Sequence, residues 1–298
     1  MNYGRTSLRR RAKQLDARGT RIRHKIGVIL GKLLLIGIIV GGCAAVSFGV
    51  GAFKGILASA PDISEVDVIP TGYSTKVLAA DGSETAKLVA AGSNRQYVTI
   101  DQIPEDLQHA VVAIEDERFY DHNGIDLKGI VRALVADVRT RDFSQGASTL
   151  TQQLIKNNVL NEQWANENDS NISKIEKMER QVQRKIQEQY LAIELEKKVN
   201  DKNWILENYL NSINLGSNTL GVQAAAQRYF GKDVSKLTLS ECAVIAGITK
   251  NPAGYNPILH PKENAKRRKN VLDAMKKQGY ISQKQYDKAM ADDVYGRI

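Results

Sequence analysis

The segment from Leu33 to Phe53 is 21 residues long, contains no charged side chain and is mostly apolar. A helix rises about 1.5 Å per residue, so this segment spans roughly 30 Å, the thickness of the hydrocarbon core of a bilayer. A stretch of this length without charges is typical of a membrane span rather than of the core of a small soluble domain. The sequence therefore predicts a single transmembrane helix, the anchor, at residues 33–53.

The positive charge of the chain is concentrated immediately before the anchor. Residues 1–32 contain ten Lys or Arg and one acidic residue, Asp16, which accounts for the whole formal charge of +9. The remainder carries 42 − 10 = 32 basic and 33 − 1 = 32 acidic residues and is neutral. Basic segments beside a membrane span stay in the cytoplasm. We therefore predict a basic cytoplasmic tail at residues 1–32, localisation in the cell membrane as a single-pass protein with the large C-terminal part on the extracytoplasmic side, and no binding of nucleic acid.

A cleavable signal peptide is the competing interpretation of this N-terminus. Ala58-Ser59-Ala60 has the small-x-small pattern of a cleavage site. However, the apolar segment is longer than a usual signal-peptide core, and Pro61 follows the candidate cut, where proline disfavours cleavage. A retained anchor is the favoured interpretation.

Residues 54–103 are predicted to form a linker and a β-hairpin. Asp81-Gly82 is a turn signal between two alternating segments, Ser74 to Leu78 and Glu84 to Leu88. From residue 104 to 298 the periodicity is helical, and helices are predicted near residues 104–115, 126–140, 149–159, 172–198, 202–213, 219–229, 238–249, 262–278 and 282–291. The polar stretch from Asn161 to Ser173 lacks periodicity and is predicted to be a surface loop.

Glu115 ends an apolar helical segment and is followed by further charged residues. The helical period places Leu107, Val111 and Glu115 on one face, so the carboxylate lies on the stripe that should face the interior. A partly desolvated carboxylate is suited to proton transfer near neutral pH. A solvated glutamate at a helix end is the more common outcome for a lone glutamate, so this position alone does not decide the chemistry.

Residues 146–157 combine small, hydroxyl, amide and basic side chains. If Thr149 opens a helix, Gln153 and Lys156 follow four and seven residues later on the same face. A hydroxyl, an amide and a cation on one face suit a phosphate or a sugar. A helix cap followed by a solvated lysine explains the same pattern without function.

Five strings of residues in this order resemble the five motifs of glycosyltransferase family 51, the peptidoglycan polymerases found in class A penicillin-binding proteins and in monofunctional transglycosylases. They are Glu115 to Asp126, Gly146 to Asn157, Arg184 to Glu188, Ile205 to Gly231 and Leu239 to Pro257. The resemblance implies a mainly α, lysozyme-like, bilobed fold, with a peptidoglycan glycosyltransferase domain at residues 104–298.

The reaction that the resemblance implies joins units of lipid II to a nascent glycan strand, with inversion at the anomeric carbon and release of undecaprenyl pyrophosphate. Carried over by position, Glu115 is the general base and Glu188 is the second catalytic carboxylate, on the diphosphate side. Glu188 would act through a loosely held Mg²⁺ or Mn²⁺ shared with substrate phosphates, or by orienting Arg184 and Lys185. An exposed i,i+4 salt bridge between Glu188 and Arg184 is the interpretation without function.

The same resemblance implies a set of substrate-binding residues: Asp116, Phe119, His122, Thr149, Gln153, Lys156, Asn157, Arg184, Lys185 and Asn211. Within it, Phe119 is expected to pack and His122 to support a neighbour by hydrogen bonding. The expected partners are lipid II, the nascent strand, the membrane and, as a further option, other proteins of wall synthesis.

Three other interpretations are kept. A bifunctional protein would continue into a transpeptidase domain with Ser-x-x-Lys and Lys-Thr-Gly or Lys-Ser-Gly motifs; since neither motif occurs in these 298 residues, we expect either a monofunctional polymerase or, preferentially, the N-terminal part of a longer protein. A lysozyme-like hydrolase would share the fold but needs no diphosphate pocket. An inactive membrane scaffold would not need the two motif glutamates, and both are present.

The predicted topology can be tested with protease added to intact cells after removal of the wall. We expect the protease to cut the chain beyond Lys54 and to spare the basic tail, because the tail lies in the cytoplasm. A soluble mature protein that begins at Pro61 would show that the segment is a cleaved signal peptide.

Overall fold

The computed structural model describes residues 4–15, 18–64, 68–89, 94–140, 146–161, 164 and 172–298. The loop predicted from Asn161 to Ser173 therefore lies largely outside the described residues. The chain divides into two compact units, residues 1–59 and 60–298.

The first unit is helical. Helix α1 runs from Arg5 to Leu15 and helix α2 from Arg18 to Ala58. The part of α2 from Ile22 to Ala58 contains an 18-residue window with a mean hydropathy of 2.4 and is long and apolar enough to cross a membrane. The predicted anchor lies inside it, and its large side chains, such as Leu34 and Phe48, are more than two-thirds exposed to the surroundings. Such a continuous apolar surface is suited to lipid.

The second unit begins with a segment that leads into the predicted hairpin. Strands β1, Thr75–Leu78, and β2, Glu84–Leu88, pair antiparallel, with a bulge between Val77 and Leu78. Gly82 in the turn has φ +83°, a conformation that glycine adopts without strain. The hairpin prediction is confirmed to within one residue.

The helices of the second unit, in the part of the chain that is described, are α3, Glu105–Glu115; α4, Leu127–Thr140; α5, Leu150–Ile155; α6, Lys174–Val199; α7, Lys202–Ser212; α8, Val222–Phe230; α9, Leu239–Ile248; α10, Pro261–Lys277; and α11, Gln283–Ala291. With a two-stranded sheet beside them, they confirm the mainly α fold class.

Two predicted boundaries differ from the structure. The helix predicted near 149–159 keeps α geometry only to Ile155 and continues as one π turn from Lys156 to Leu160. The helix predicted near 219–229 begins at Val222, because Leu220 is engaged in β-bridges and Gly221 has φ +79°. The hydrophobic periodicity of the sequence reveals neither the π turn nor the β-bridges of Leu220.

The helices pack in two groups. Helices α3, α9 and α10 pack against one another, and α5 packs against α6 and α7. Leu107 and Val111 of α3 and Ile245 of α9 are fully buried. Glu115 ends α3 in the first group and Glu188 lies in α6 of the second, so the boundary between the groups is where the two carboxylates can face one cavity.

The segment before α3 is part of the core of the second unit rather than a free linker. Val98 and Ile103 are buried. The Asn211 side chain accepts a hydrogen bond from Val98 N at 3.0 Å and donates one to Val98 O at 2.8 Å. Asn211 thereby fixes the backbone of Val98 on α7.

Replacing Gly124 by Ala tests the packing on α6 of the turn around Gly124, which lies in the first motif string, Glu115 to Asp126. Gly124 has φ +87°, and a Cβ there would lie 2.6 Å from the backbone carbonyl of Ala192. We expect Gly124→Ala to lower the free energy of unfolding by about 3 kcal/mol or more, since backbone strain and a steric clash combine.

The matched control for this change is Gly279→Ala. Gly279 has a similar φ of +82° but open space around its Cβ position, so the substitution should cost only about 1–2 kcal/mol of conformational strain. Denaturant unfolding measures both values. Equal losses would mean that the contact between Gly124 and α6 is unimportant.

Candidate active site

A cleft of about 1100 Å³ contains both predicted catalytic glutamates in its wall. Glu115 comes from α3, whereas Glu188 comes from α6. Residues from α5, the π turn after it, α7, the segment after α9, and the segments around Arg95 and Leu220 also line the cleft. The cavity is large enough for a saccharide-sized ligand.

Glu115 is held by three side chains. Its Oε1 accepts a hydrogen bond from Thr249 Oγ1 at 2.7 Å and lies 3.4 Å from Arg267 Nη2. Its Oε2 accepts from Gln153 Nε2 at 3.2 Å. The carboxylate is 14% exposed. These contacts fix its orientation while leaving it part of the cleft wall.

Tyr209 sets the orientation of Gln153. The Tyr209 hydroxyl donates to Gln153 Oε1 at 3.0 Å, so the amide nitrogen of Gln153 is turned towards Glu115. Burial raises the pKa of Tyr209 well above its ordinary value, and the negative charges of Glu115 and Asp116 raise it further. The hydroxyl therefore stays protonated and remains a donor.

Glu188 is neutralised by two cations one turn away on the same helix. Its side chain is 3% exposed; Oε1 accepts from Arg184 Nη1, and Oε2 accepts from Lys185 Nζ at 3.0 Å. Lys185 also donates to Ser148 Oγ at 2.6 Å and to Gln152 Oε1 at 3.1 Å. The buried carboxylate thus holds two basic groups, of which Lys185 also contacts the start of α5, and this differs from the exposed salt bridge expected of an isolated pair.

Asp116 joins the first motif to the second. Its Oδ2 accepts from Leu150 N, the first residue of α5, at 2.9 Å. Both carboxylate oxygens lie 3.0 Å from His122 Nε2. The protein's own carboxylate therefore occupies the N-terminus of α5.

A second buried network supports the same region. Lys202 Nζ donates to His122 O at 2.7 Å and to Glu196 Oε1 at 2.8 Å, and it lies 4.6 Å from the centre of the Phe119 ring. Glu196 also accepts from Thr151 Oγ1 at 2.6 Å. Phe119 is fully buried. The network ties the turn after α3 to α5, α6 and α7.

The predicted site residues fall into two sets. Those in the wall of the cleft are Glu115, Gln153, Lys156, Asn157, Arg184, Lys185 and Glu188. Those buried beneath it are Asp116, Phe119, His122, Thr149 and Asn211. Thr149 caps α5, accepting from Gln152 N at 3.2 Å, and donates to Gly124 O at 2.7 Å. The buried residues support the wall of the cleft, and they do not line the cavity in which a substrate would bind.

Sequence reasoning missed the two residues that contact Glu115 from within its own helix group, Thr249 and Arg267. Thr249 follows α9 and was available within the fifth motif string. Arg267 is 152 residues away from Glu115 and lies in the basic helix α10, where nothing distinguishes it from neighbouring lysines. Only tertiary packing selects Arg267.

A divalent ion at Glu188 would need available carboxylate oxygens. Both oxygens of Glu188 are engaged by Arg184 and Lys185. Within the described ranges, no group of three or more His, Cys, Asp or Glu side chains could hold an ion. This arrangement does not fit a resident Mg²⁺ or Mn²⁺, so no step below is assigned to one, and the expectation stays a prediction.

Comparison with known proteins identifies the family. A family model described as Transglycosylase matches residues 81–276. The chain belongs to the transglycosylase family. This membership confirms the family prediction and the class of enzyme expected for this domain.

Several relatives of the transglycosylase domain are penicillin-binding proteins. The chain is 39% identical over 258 residues to penicillin-binding protein 1A/1B of Bacillus subtilis, covering 86% of this chain and 25% of that protein. It is 40% identical over 245 residues to penicillin-binding protein 1A of Escherichia coli, covering 82% and 26%, and 46% identical over 196 residues to that of Aquifex aeolicus, covering 66% and 25%. The chain thus spans about a quarter of the length of these relatives.

A solved structure of penicillin-binding protein 1A from Haemophilus influenzae is similar to 76% of this chain and 21% of that one, with 26% identity and a TM-score of 0.40.

Replacing Glu188 by Gln tests how this carboxylate acts in the transglycosylase domain. The change keeps the size of the side chain but removes the charge that holds Arg184 and Lys185. We expect the turnover of the transglycosylase reaction to fall by about tenfold or more, since the two charge-assisted hydrogen bonds to Arg184 and Lys185 are weakened. The response of the remaining turnover to Mg²⁺ or Mn²⁺ should match that of the wild type.

The control is Glu176→Gln, which removes an exposed i,i+4 ion pair with Arg180 on the same helix and should leave turnover unchanged. A response to divalent ions that is present in the wild type and lost in Glu188→Gln would make Glu188 a metal ligand.

Proposed function

We propose that the domain is a peptidoglycan glycosyltransferase that polymerises lipid II into glycan strands and releases undecaprenyl pyrophosphate. The observation that carries the proposal is the presence of two carboxylates with different partners in one cleft. The Glu115 carboxylate accepts hydrogen bonds from two neutral side chains and lies near one guanidinium. The Glu188 carboxylate, in contrast, forms ion pairs with both Arg184 and Lys185. Glycosyl transfer from a lipid diphosphate needs such a division, because one group must take a proton and another region must stabilise negative charge.

Glu115 acts as the general base in this proposal. It takes the proton from the 4-hydroxyl of the acceptor sugar as the oxygen attacks the anomeric carbon of the donor. The fixed donors Thr249 and Gln153 keep the carboxylate in one orientation. Orientation matters because a base must lie within hydrogen-bond distance of the proton that it removes.

Lys156, Arg184 and Lys185 serve the leaving diphosphate. All three line the cleft, and Glu188 compensates one of their three positive charges. The region therefore keeps an excess of positive charge where negative charge develops on the leaving group. Glu188 positions Arg184 and Lys185 rather than contacting a phosphate.

A glycan-cleaving enzyme of lysozyme type is the second candidate. Inverting hydrolysis requires a water held by a carboxylate base and an acid across the sugar. Glu188 is paired with two cations and is 3% exposed, which suits it neither as acid nor as base. The cations of the cleft favour transfer from a diphosphate, and the two intact glutamates disfavour an inactive scaffold.

The long apolar helix supports attachment to the membrane that holds such a substrate. In the proposed orientation, the basic residues before it lie in the cytoplasm and the transglycosylase domain lies outside. Further proteins of wall synthesis are candidate partners, and the activity of longer relatives beyond this domain is not assigned to this chain.

Glu115→Gln tests the proposed base. The amide keeps the size of the side chain but cannot take a proton, so the rate of strand formation should fall by about 10²-fold or more. Gel analysis of labelled product measures the rate, and thermal melting checks the fold. Glu105→Gln, an exposed acid at the start of the same helix, should polymerise as the wild type does. Polymerisation by Glu115→Gln above about one per cent of the wild-type rate would refute the role of base.

A further inference from the structure

Arg95 is a buried cation in the wall of the cleft that has no assigned role. It is 7% exposed, and it contributes to the same cavity as Glu115 and Glu188. In the described part of the chain it makes no ion pair with a carboxylate, and its Nε is buried without a hydrogen-bond partner. Burial lowers the pKa of its guanidinium, and the nearby Tyr73 offsets only part of that effect.

An uncompensated buried charge destabilises a protein, so its presence needs an explanation. Two other cations of the cleft, Arg184 and Lys185, differ from Arg95 because each forms an ion pair with Glu188. Lys156 and Lys250 also line the cleft but are exposed to solvent. Arg95 alone among these five cations combines burial with the absence of a described carboxylate partner.

The backbone around Arg95 is fixed without help from its guanidinium. Arg95 O accepts hydrogen bonds from Ser74 N at 2.9 Å and from Ser74 Oγ at 3.2 Å. Leu220 N donates to Asn94 O at 3.2 Å, and the Asn94 side chain donates to Asn218 O at 2.9 Å. The charged end of Arg95 is therefore not required to hold this segment, and a prearranged cation is available to a ligand.

A buried cation suits an oxyanion, and Arg95 lies in a different chain segment from the cations assigned to the leaving diphosphate. The diphosphate cations belong to α6 and to the π turn after α5, whereas Arg95 belongs to a separate segment paired with Leu220. Asn214 and Leu220 line the cavity beside it. If the proposed function holds, the substrate carries two kinds of oxyanion, the diphosphate and the carboxylates of the peptide stem on its saccharide.

We propose that Arg95 binds a carboxylate of the peptide stem of the saccharide substrate. The guanidinium forms a charge-assisted pair with that carboxylate, which supplies a counter-ion that the described part of the chain does not provide. Arg95 thereby contributes to substrate affinity and to the choice of anionic stems, and it takes no part in the proton transfer.

Arg95→Met in the full chain tests this proposal, because methionine keeps an unbranched stem and removes the charge. We expect its Kd for a fluorescent lipid-linked disaccharide pentapeptide, measured in detergent micelles, to rise by about tenfold or more. Its melting temperature should be equal to or higher than that of the wild type, since an uncompensated buried charge is lost. The control is Arg228→Met, an exposed arginine on α8, which should change neither value.

The second arm uses the same lipid-linked saccharide with its stem carboxylates amidated. The wild type should bind this substrate about as weakly as Arg95→Met binds the native one, and Arg95→Met should cause no further loss. An equal loss of affinity for both substrates would overturn the proposal and assign Arg95 to the diphosphate. An unchanged Kd, or a lower melting temperature without a change in Kd, would also overturn it and leave Arg95 a structural residue.

The inference rests on the proposed function, but the two can fail separately. Absence of polymerisation by the wild type would refute the proposed function, whatever the Kd values are. Polymerisation by the wild type, together with equal Kd values for wild type and Arg95→Met, would refute only the role of Arg95.

Discussion

The buried carboxylate of Asp116 is the interaction on which the arrangement of the site depends. It accepts hydrogen bonds from Leu150 N at the start of α5 and from the ring of His122, so a desolvated negative charge is stabilised by a helix N-terminus and an N–H donor. Glu115 precedes Asp116, and Gln153 lies in the first turn after Leu150. The hydrogen bonds of Asp116 therefore help to set the distance between Glu115, the candidate base, and the Gln153 amide that orients it.

The two carboxylates of the cleft have different surroundings, which suit the different tasks proposed for them. Glu115 lies where the two helix groups meet and is held by Thr249, Gln153 and Arg267, so its orientation depends on the packing of α9 and α10 against α3. Glu188 instead sits inside one group, neutralised from its own helix. A chemical step that removes a proton in one place and releases a diphosphate in another fits this separation.

Sequence reasoning reached the elements and most of the cleft wall because both depend on local patterns. Helical periodicity located α3 and α6, and the motif strings located Glu115, Glu188 and Lys156. Sequence patterns do not predict contacts between distant segments, such as that of Arg267 with Glu115. Tertiary packing, rather than periodicity, determines which basic residue of α10 contacts Glu115. The absence of a carboxylate partner for Arg95 among the described residues was equally out of reach, since it is visible only in three dimensions. The sites themselves, including the role of Glu188, stay predictions that the experiments above address.

In the proposed function, this cleft transfers a glycosyl group from a lipid diphosphate to a sugar hydroxyl, with inversion. The most direct measurement is NMR of the purified full chain acting on a lipid-linked disaccharide labelled with ¹³C at the anomeric carbon. The account predicts that the α-anomeric signal is replaced by a β-glycosidic signal, with one lipid diphosphate released per bond formed. Appearance of free reducing sugar in place of the β-glycosidic signal would show attack by water and would contradict the account.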